Sequence, residues 1–148
     1  MTIQVDFYVL GRDDVAAKHH HACRLVNEAH GRGLKVYLRT DDPQHSRLLD
    51  KMLWTFDQGS FVPHVVCDDA RDRPHDINRY PVQIGHDDAP ADCVDLLVSL
   101  RREVPADYVK FSRVAEVIID READKSAGRA RFRFYRERGI TPKTHKIP

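Results

Sequence analysis

Residues 3–10 are rich in β-forming side chains and stop at Gly11-Arg12-Asp13-Asp14, which predicts an opening strand and then a helix start with Asp13 or Asp14 as N-cap. The period then changes. Ala16, Cys23, Val26 and Ala29, with Ala22 and Leu25 beside them, form a helical apolar face over residues 15–30, and Gly31 and Gly33 end it. Residues 34–38 return to a short strand. Strand, helix, glycine turn and strand make a βαβ unit, whose crossover sets the two strands parallel. Beyond Thr40-Asp41-Asp42, Pro43 suits a first helical turn, and Leu48, Leu49, Met52 and Leu53 carry a second helix to about Trp54.

The centre of the chain is less regular. Residues 56–63 form an apolar loop with Phe56, Phe61 and Val62, punctuated by Gly59 and Pro63. Residues 64–67 and 81–84 are short strand candidates, the second lying within an acidic stretch, residues 68–92, with seven acids against three arginines. The continuous Val and Leu run of residues 93–100 has the character of a strand covered on both faces, which places it in the middle of the sheet. Residues 105–111 predict a short helix, 114–119 a last strand, and 121–138 a final helix ended by Gly139, followed by Pro142 and a polar tail. The sum is an α/β chain with a mostly parallel central sheet, expected to be one domain over residues 1–148, with no repeat or linker to divide it.

Composition narrows the function more than the fold. In 148 residues there are 24 Lys and Arg against 23 Asp and Glu, so the chain is no bulk polyanion binder and electrostatic specificity must be local. Three scattered cysteines, Cys23, Cys67 and Cys93, fit reduced thiols better than a disulfide framework. Neither a basic leader with a long apolar core nor a run of about 18 apolar residues occurs, so a cytoplasmic protein without membrane association is expected.

Several kinds of chemistry lack their motifs. A Rossmann or P-loop protein cradles phosphate on its first strand-to-helix turn with glycines. Here that turn holds one glycine and two carboxylates, and neither GxGxxG nor GxxxxGK[ST] occurs, so no nucleotide cofactor is expected. The run His19-His20-His21 falls in a helix, where consecutive residues point about 100° apart and do not converge on one metal ion. His64 and Cys67 lack a second ligand pair, and Ser99 has no nucleophile elbow around it. No metal and no catalytic residue is expected.

The final helix carries the best positive signal. Residues 121–138 hold seven basic and three acidic side chains. Lys125, Arg129, Arg133 and Arg136 line one side, with Phe132 set among them. Guanidinium groups beside an apolar notch suit an acidic peptide ending in an apolar side chain, because Arg holds carboxylates bidentately while the notch takes the ring. The same stripe suits nucleic-acid phosphates, and the same composition fits a solvated amphipathic helix that packs Phe134 and Tyr135 on the sheet. Trp54, Phe56, Phe61, Val62 and Pro63 form a second apolar group, which fits either a core edge or an interface.

With those residues in view, the chain resembles the chi subunit family of bacterial DNA polymerase III. Four landmarks in order carry the resemblance: Asp6-Phe7-Tyr8-Val9-Leu10, then Leu53-Trp54 with Ser60-Phe61-Val62-Pro63-His64, then Asp95-Leu96-Leu97-Val98-Ser99-Leu100, and last Phe134-Tyr135-Arg136 before Gly139. The resemblance implies a three-layer, Rossmann-like, noncatalytic subunit that joins the clamp loader, through its psi subunit, to single-stranded DNA-binding protein. It implies that DNA is met only indirectly, and that the acidic tail of the binding protein, ending in Phe, is the ligand. By the same resemblance Lys125, Arg129 and Arg133 contact that tail, Phe132 and Ile118 frame its pocket, and Trp54, Phe61, Val62 and Pro63 meet psi. Two positions depart from the family pattern. An acid at Asp124 either repels the tail or points away, and Gly128 is expected to loosen the stripe, at about 1 kcal/mol of helix propensity relative to Ala. The competing expectations are a nucleotide-binding or hydrolytic enzyme on the same sheet, and a direct DNA-binding module.

Overall fold

The computed structural model describes residues 3–56, 62–68 and 76–148. Among the described residues seven strands form one sheet in the order β3-β4-β2-β5-β6-β1-β7. They are β1 (Gln4–Leu10), β2 (Val36–Arg39), β3 (His64–Val66), β4 (Val82–Gly85), β5 (Leu96–Ser99), β6 (Arg113–Ile118) and β7 (Lys143–Ile147), and every neighbouring pair runs parallel. The α-helices among the described residues are α1 (Val15–Gly31), α2 (Pro43–Thr55) and α3 (Glu122–Glu137). The run over residues 93–100 is indeed central, since β5 is the fourth of seven strands and all four of its residues are buried.

The helix starts follow from their caps. Asp14 takes the N–H of Ala17 at the head of α1, and Asp42 takes the N–H of His45 at 2.8 Å, just before Pro43. After α1 the chain reverses through Gly33, whose φ of 78° lies in the left-handed region that glycine enters without a Cβ clash.

Three layers result. Ala22, Cys23 and Val26 of α1 and Leu49 and Leu53 of α2 pack with Leu38, Val98, Ala115 and Val117 on one face of the sheet. On the other face Tyr135 of α3 joins Tyr108 and Phe111 against Phe7, Leu97, Val114 and Ile118. The alternation along β6, with Ala115 and Val117 toward α1 and Val114, Glu116 and Ile118 toward α3, is what a parallel strand covered on both sides requires.

The expected mostly parallel sheet is present, and every pairing among the described residues is parallel. Two expectations change. Residues 105–111 contain only a single 3-10 turn, Tyr108–Lys110. The polar tail is a strand: residues 143–147 pair with residues 6–10 and form the edge beyond β1, so the strand at 113–118 is not the last. Its Lys-Thr-His-Lys-Ile sequence looks like a tail because an edge strand tolerates, and often requires, charged side chains.

The candidate peptide pocket on helix α3

Helix α3 has two working sides. Its buried side is Asp124, Gly128, Arg131 and Tyr135, spaced i, i+4, i+7 and i+11. Glu116, fully buried on β6, accepts the Tyr135 hydroxyl at 2.8 Å and pairs with Arg131 at 3.2 Å. Burial raises the carboxyl pKa of Glu116, and the Arg131 charge works against that rise. Arg131, counted by composition among the basic residues of the helix, is therefore a core residue and not part of a binding surface.

The two departures acquire physical reasons. Asp124 points away from the surface: its carboxylate accepts the Ile119 N–H at 2.8 Å and pairs with Lys18 at 3.1 Å, tying the head of α3 to β6 and α1. It is 3% exposed and repels nothing outside. Gly128 does not loosen the helix. A Cβ at that position would lie 2.3 Å from Cδ1 of Ile118, so the missing side chain is what lets α3 settle onto the sheet.

That close approach shapes a cavity of about 210 Å³ lined by Phe7, Val9, Ile118, Lys125, Gly128, Arg129, Phe132 and Thr144. Ile118 and Gly128 lie side by side in it. Phe132 packs its ring 5.4 Å from that of Phe7, and Thr144 closes the β7 side. An apolar cavity of about 150 Å³ suffices to hold a benzene ring. At the rim Lys125 pairs with Asp120 at 2.8 Å and Arg129 with Glu122 at 2.8 Å, both in solvent. The hydrogen bond and charge of Asp120 raise the Lys125 pKa, so that side chain is a cation at any physiological pH.

Of the residues expected at the tail site, Lys125, Arg129, Phe132 and Ile118 thus meet around one cavity. Arg133 is exposed on the same helix but does not line it. Phe7, Val9 and Thr144 complete the walls and were not foreseen. Their only sequence signal is the β1–β7 register, which pairs Phe7 with Thr144 and needs β7 to be recognised first.

The second apolar group divides. Trp54, at the end of α2, is 57% exposed with its ring 4.9 Å from that of His64. Pro63 is half-buried, whereas Val62 is only 4% exposed and belongs to the core. Phe61 lies outside the described residues.

The competing chemistries find little to work with. The turn after β1 is occupied by Asp14, which caps α1 and pairs with Arg12, so a carboxylate sits where a phosphate would bind. The three consecutive histidines diverge: His19 hydrogen-bonds His45 at 2.9 Å, His20 meets the Phe56 ring edge-on, and His21 packs on Tyr8. Among the described residues no group of three His, Cys, Asp or Glu side chains is arranged to hold a metal ion. His64 bonds the Val62 carbonyl, and the Cys67 thiol bonds Gln83. Burial pushes the Cys23, Cys67 and Cys93 thiols up to about 12, far from thiolate reactivity. No helix among the described residues is long and apolar enough to cross a membrane.

The chain is similar to known proteins over nearly its whole length. The family model described as DNA polymerase III chi subunit, HolC, matches residues 1–143. The DNA polymerase III subunit chi of Pseudomonas aeruginosa is 37% identical over 145 residues, covering 98% of this chain and 97% of that protein. Those of Escherichia coli (27% identical, 93% of this chain and 94% of that protein) and Haemophilus influenzae (24%, 99% of each) are also similar over nearly their full lengths. With the match spanning almost every residue of the sheet and all three helices, the chain belongs to the DNA polymerase III chi subunit family, accessory subunits of the replicative polymerase.

Proposed function

We propose that this chain is a noncatalytic linker, one domain over residues 1–148, that works in the cytoplasm and holds the acidic C-terminal tail of single-stranded DNA-binding protein while attached to the clamp loader through psi. The observation that carries the reading is the cavity beside α3, an apolar recess of about 210 Å³ with cations on its rim. A terminal Phe ring fills the recess between Ile118 and Phe132. Its carboxylate and the preceding Asp side chains draw Lys125 and Arg129 away from Asp120 and Glu122, and Arg133 meets the tail farther along α3. Exchanging one exposed ion pair for another gives little net energy, so the ring supplies most of the affinity and the cations supply orientation and on-rate.

Trp54 and Pro63, with Phe61 nearby in sequence and Val62 as the buried support, are the surface proposed for psi. It lies at the end of α2, on the face of the sheet opposite α3, so both partners bind at once.

The test is fluorescence anisotropy with a labelled acidic peptide ending in Phe. Binding that weakens about two- to fivefold in Arg129→Ala, and weakens with salt, agrees with the reading, as loss of one exposed ion pair implies. Equal affinity in wild type and Arg129→Ala contradicts it.

A further inference from the structure

The cavity borders the edge of the sheet, because Thr144 of β7 is one of its walls and β7 is the outermost strand. The hydrogen-bond phase of β7 is fixed by the N–H of Gly11, which donates to the Ile147 carbonyl at 2.7 Å. Backbone groups of successive strand residues point to opposite edges. Those of Lys143, His145 and Ile147 therefore face β1, and those of Thr144 and Lys146 face outward. The side chains of these same two residues share a face with the pocket, since Thr144 is in register with Phe7 and Lys146 with Val9, both of which line it. Lys146 has no ion-pair partner among the described residues, and its register with Val9 puts its side chain on the face of the sheet that α3 covers.

We infer that β7 is a docking edge, on which an extended acidic peptide adds as an eighth strand, pairing with the outward N–H and C=O groups of Thr144 and Lys146. The inference rests on the reading of the cavity as the seat of the peptide's terminal ring, and it gives the rest of the peptide a path. A peptide whose ring sits between Ile118 and Phe132 reaches Thr144 beside it, whose backbone N–H and C=O, like those of Lys146, face away from β1. Strand addition supplies affinity through the main chain, and acidic side chains on the added strand that point to the α3 side meet Lys146. β7 itself stays anchored during this. His145 donates from Nε2 to Asp6 at 2.9 Å and stacks on Tyr8. Burial alone would raise the Asp6 pKa, but hydrogen bonds from His145, Arg113 and Gln4 outweigh it and keep that carboxylate charged.

Edge lysines also discourage self-association of sheets, so the test reads backbone groups rather than charge. Amide hydrogen exchange is followed by NMR on the full chain, alone and saturated with an acidic peptide ending in Phe. The expected result is slowing of the Thr144 and Lys146 amides by about tenfold or more, with those of 143, 145 and 147 unchanged. Two variants separate charge from pairing. Lys146→Gln removes the cation, while Lys146→Pro also removes an outward N–H that β1 does not use, a change an edge strand accepts. Lys146→Pro is expected to bind about fivefold or more weakly than Lys146→Gln, as loss of one hydrogen bond implies. If the peptide saturates the cavity, seen as shifts of the Ile118 methyls, while both amides exchange as before and the two variants bind alike, strand addition is refuted and the pocket reading survives. A peptide that does not shift the Ile118 methyls at all overturns both.

Discussion

Replacing Gly128 with Ala probes the fit of α3 to the sheet and the peptide site together. The new Cβ meets Ile118 Cδ1 at 2.3 Å and Cγ1 at 3.1 Å, while Cγ2 stays at 3.8 Å. Ordinary carbon contacts are about 3.5–4.0 Å, so Cδ1 must move by more than an ångström, and the open space available to it is the cavity. Forcing the Ile118 side chain away from its preferred torsion costs about 0.5–1.5 kcal/mol. Ala returns about 1 kcal/mol of helix propensity. Net stability should then change by less than about 1 kcal/mol. Binding is different, because the displaced methyl occupies the proposed seat of the ring. A ring burying about 100 Å² gains about 2.5 kcal/mol at 25 cal/mol per Å², and losing half of that weakens binding about tenfold. Calorimetric titration with an acidic peptide ending in Phe, beside urea denaturation, measures both. Adding Ile118→Val removes Cδ1, the atom in conflict, so the double variant should bind more tightly than Gly128→Ala alone. Wild-type affinity in Gly128→Ala, or a loss that Ile118→Val does not relieve, refutes the reasoning.

Asp124→Ala leaves the Lys18 ammonium, whose side chain is 10% exposed, without its partner, which should cost about 3–5 kcal/mol in urea denaturation. A cost below about 1 kcal/mol would show that Asp124 does not tie α3 to α1. Burial, with the charges of His45 and Lys18, lowers the His19 pKa from 6.5 to about 4. The unfolded chain takes up a proton in that window and the folded chain does not, so stability from this group is full above about pH 6.5 and falls between there and about pH 4. His19→Gln should flatten the fall in unfolding temperature over that range, and an identical slope in both proteins contradicts the assignment. Trp54→Ala should leave stability and tail-peptide affinity unchanged while weakening capture of a clamp-loader psi subunit. Retention of psi by that variant at wild-type affinity moves the surface elsewhere.

Burial on both faces made the first half of the sheet and its centre legible in the sequence. β1, β2 and β5 are apolar because both faces of the sheet are covered there, by helices and by buried loop residues such as Cys93 and Phe111, and α1 and α2 show a 3.6-residue period because one side of each meets the core. β7 is different. It borders the sheet and exposes Lys143, Thr144 and Lys146, so neither a period nor an apolar run marks it. The basic side of α3 was legible as charge, but its division was not. Arg131 serves the buried Glu116, and the acids facing Lys125 and Arg129 are Asp120 and Glu122, five and seven positions away, outside the i, i+4 rule. The cavity was hidden because its walls come from β1, β6, α3 and β7, and because its shape depends on an absent side chain at Gly128. The resemblance named Lys125, Arg129, Phe132 and Ile118, and the packing of α3 on the sheet explains how four residues from two elements reach one recess.

The central claim is that an acidic tail seats its terminal ring between Ile118 and Phe132. Isotope-edited NOE spectra of the labelled chain saturated with unlabelled peptide test this most directly. Cross-peaks from the terminal Phe ring protons to the Ile118 δ-methyl and the Thr144 γ-methyl are predicted. A saturated complex whose ring shows NOEs only to residues outside the cavity, such as Trp54 or Pro63, would contradict the account.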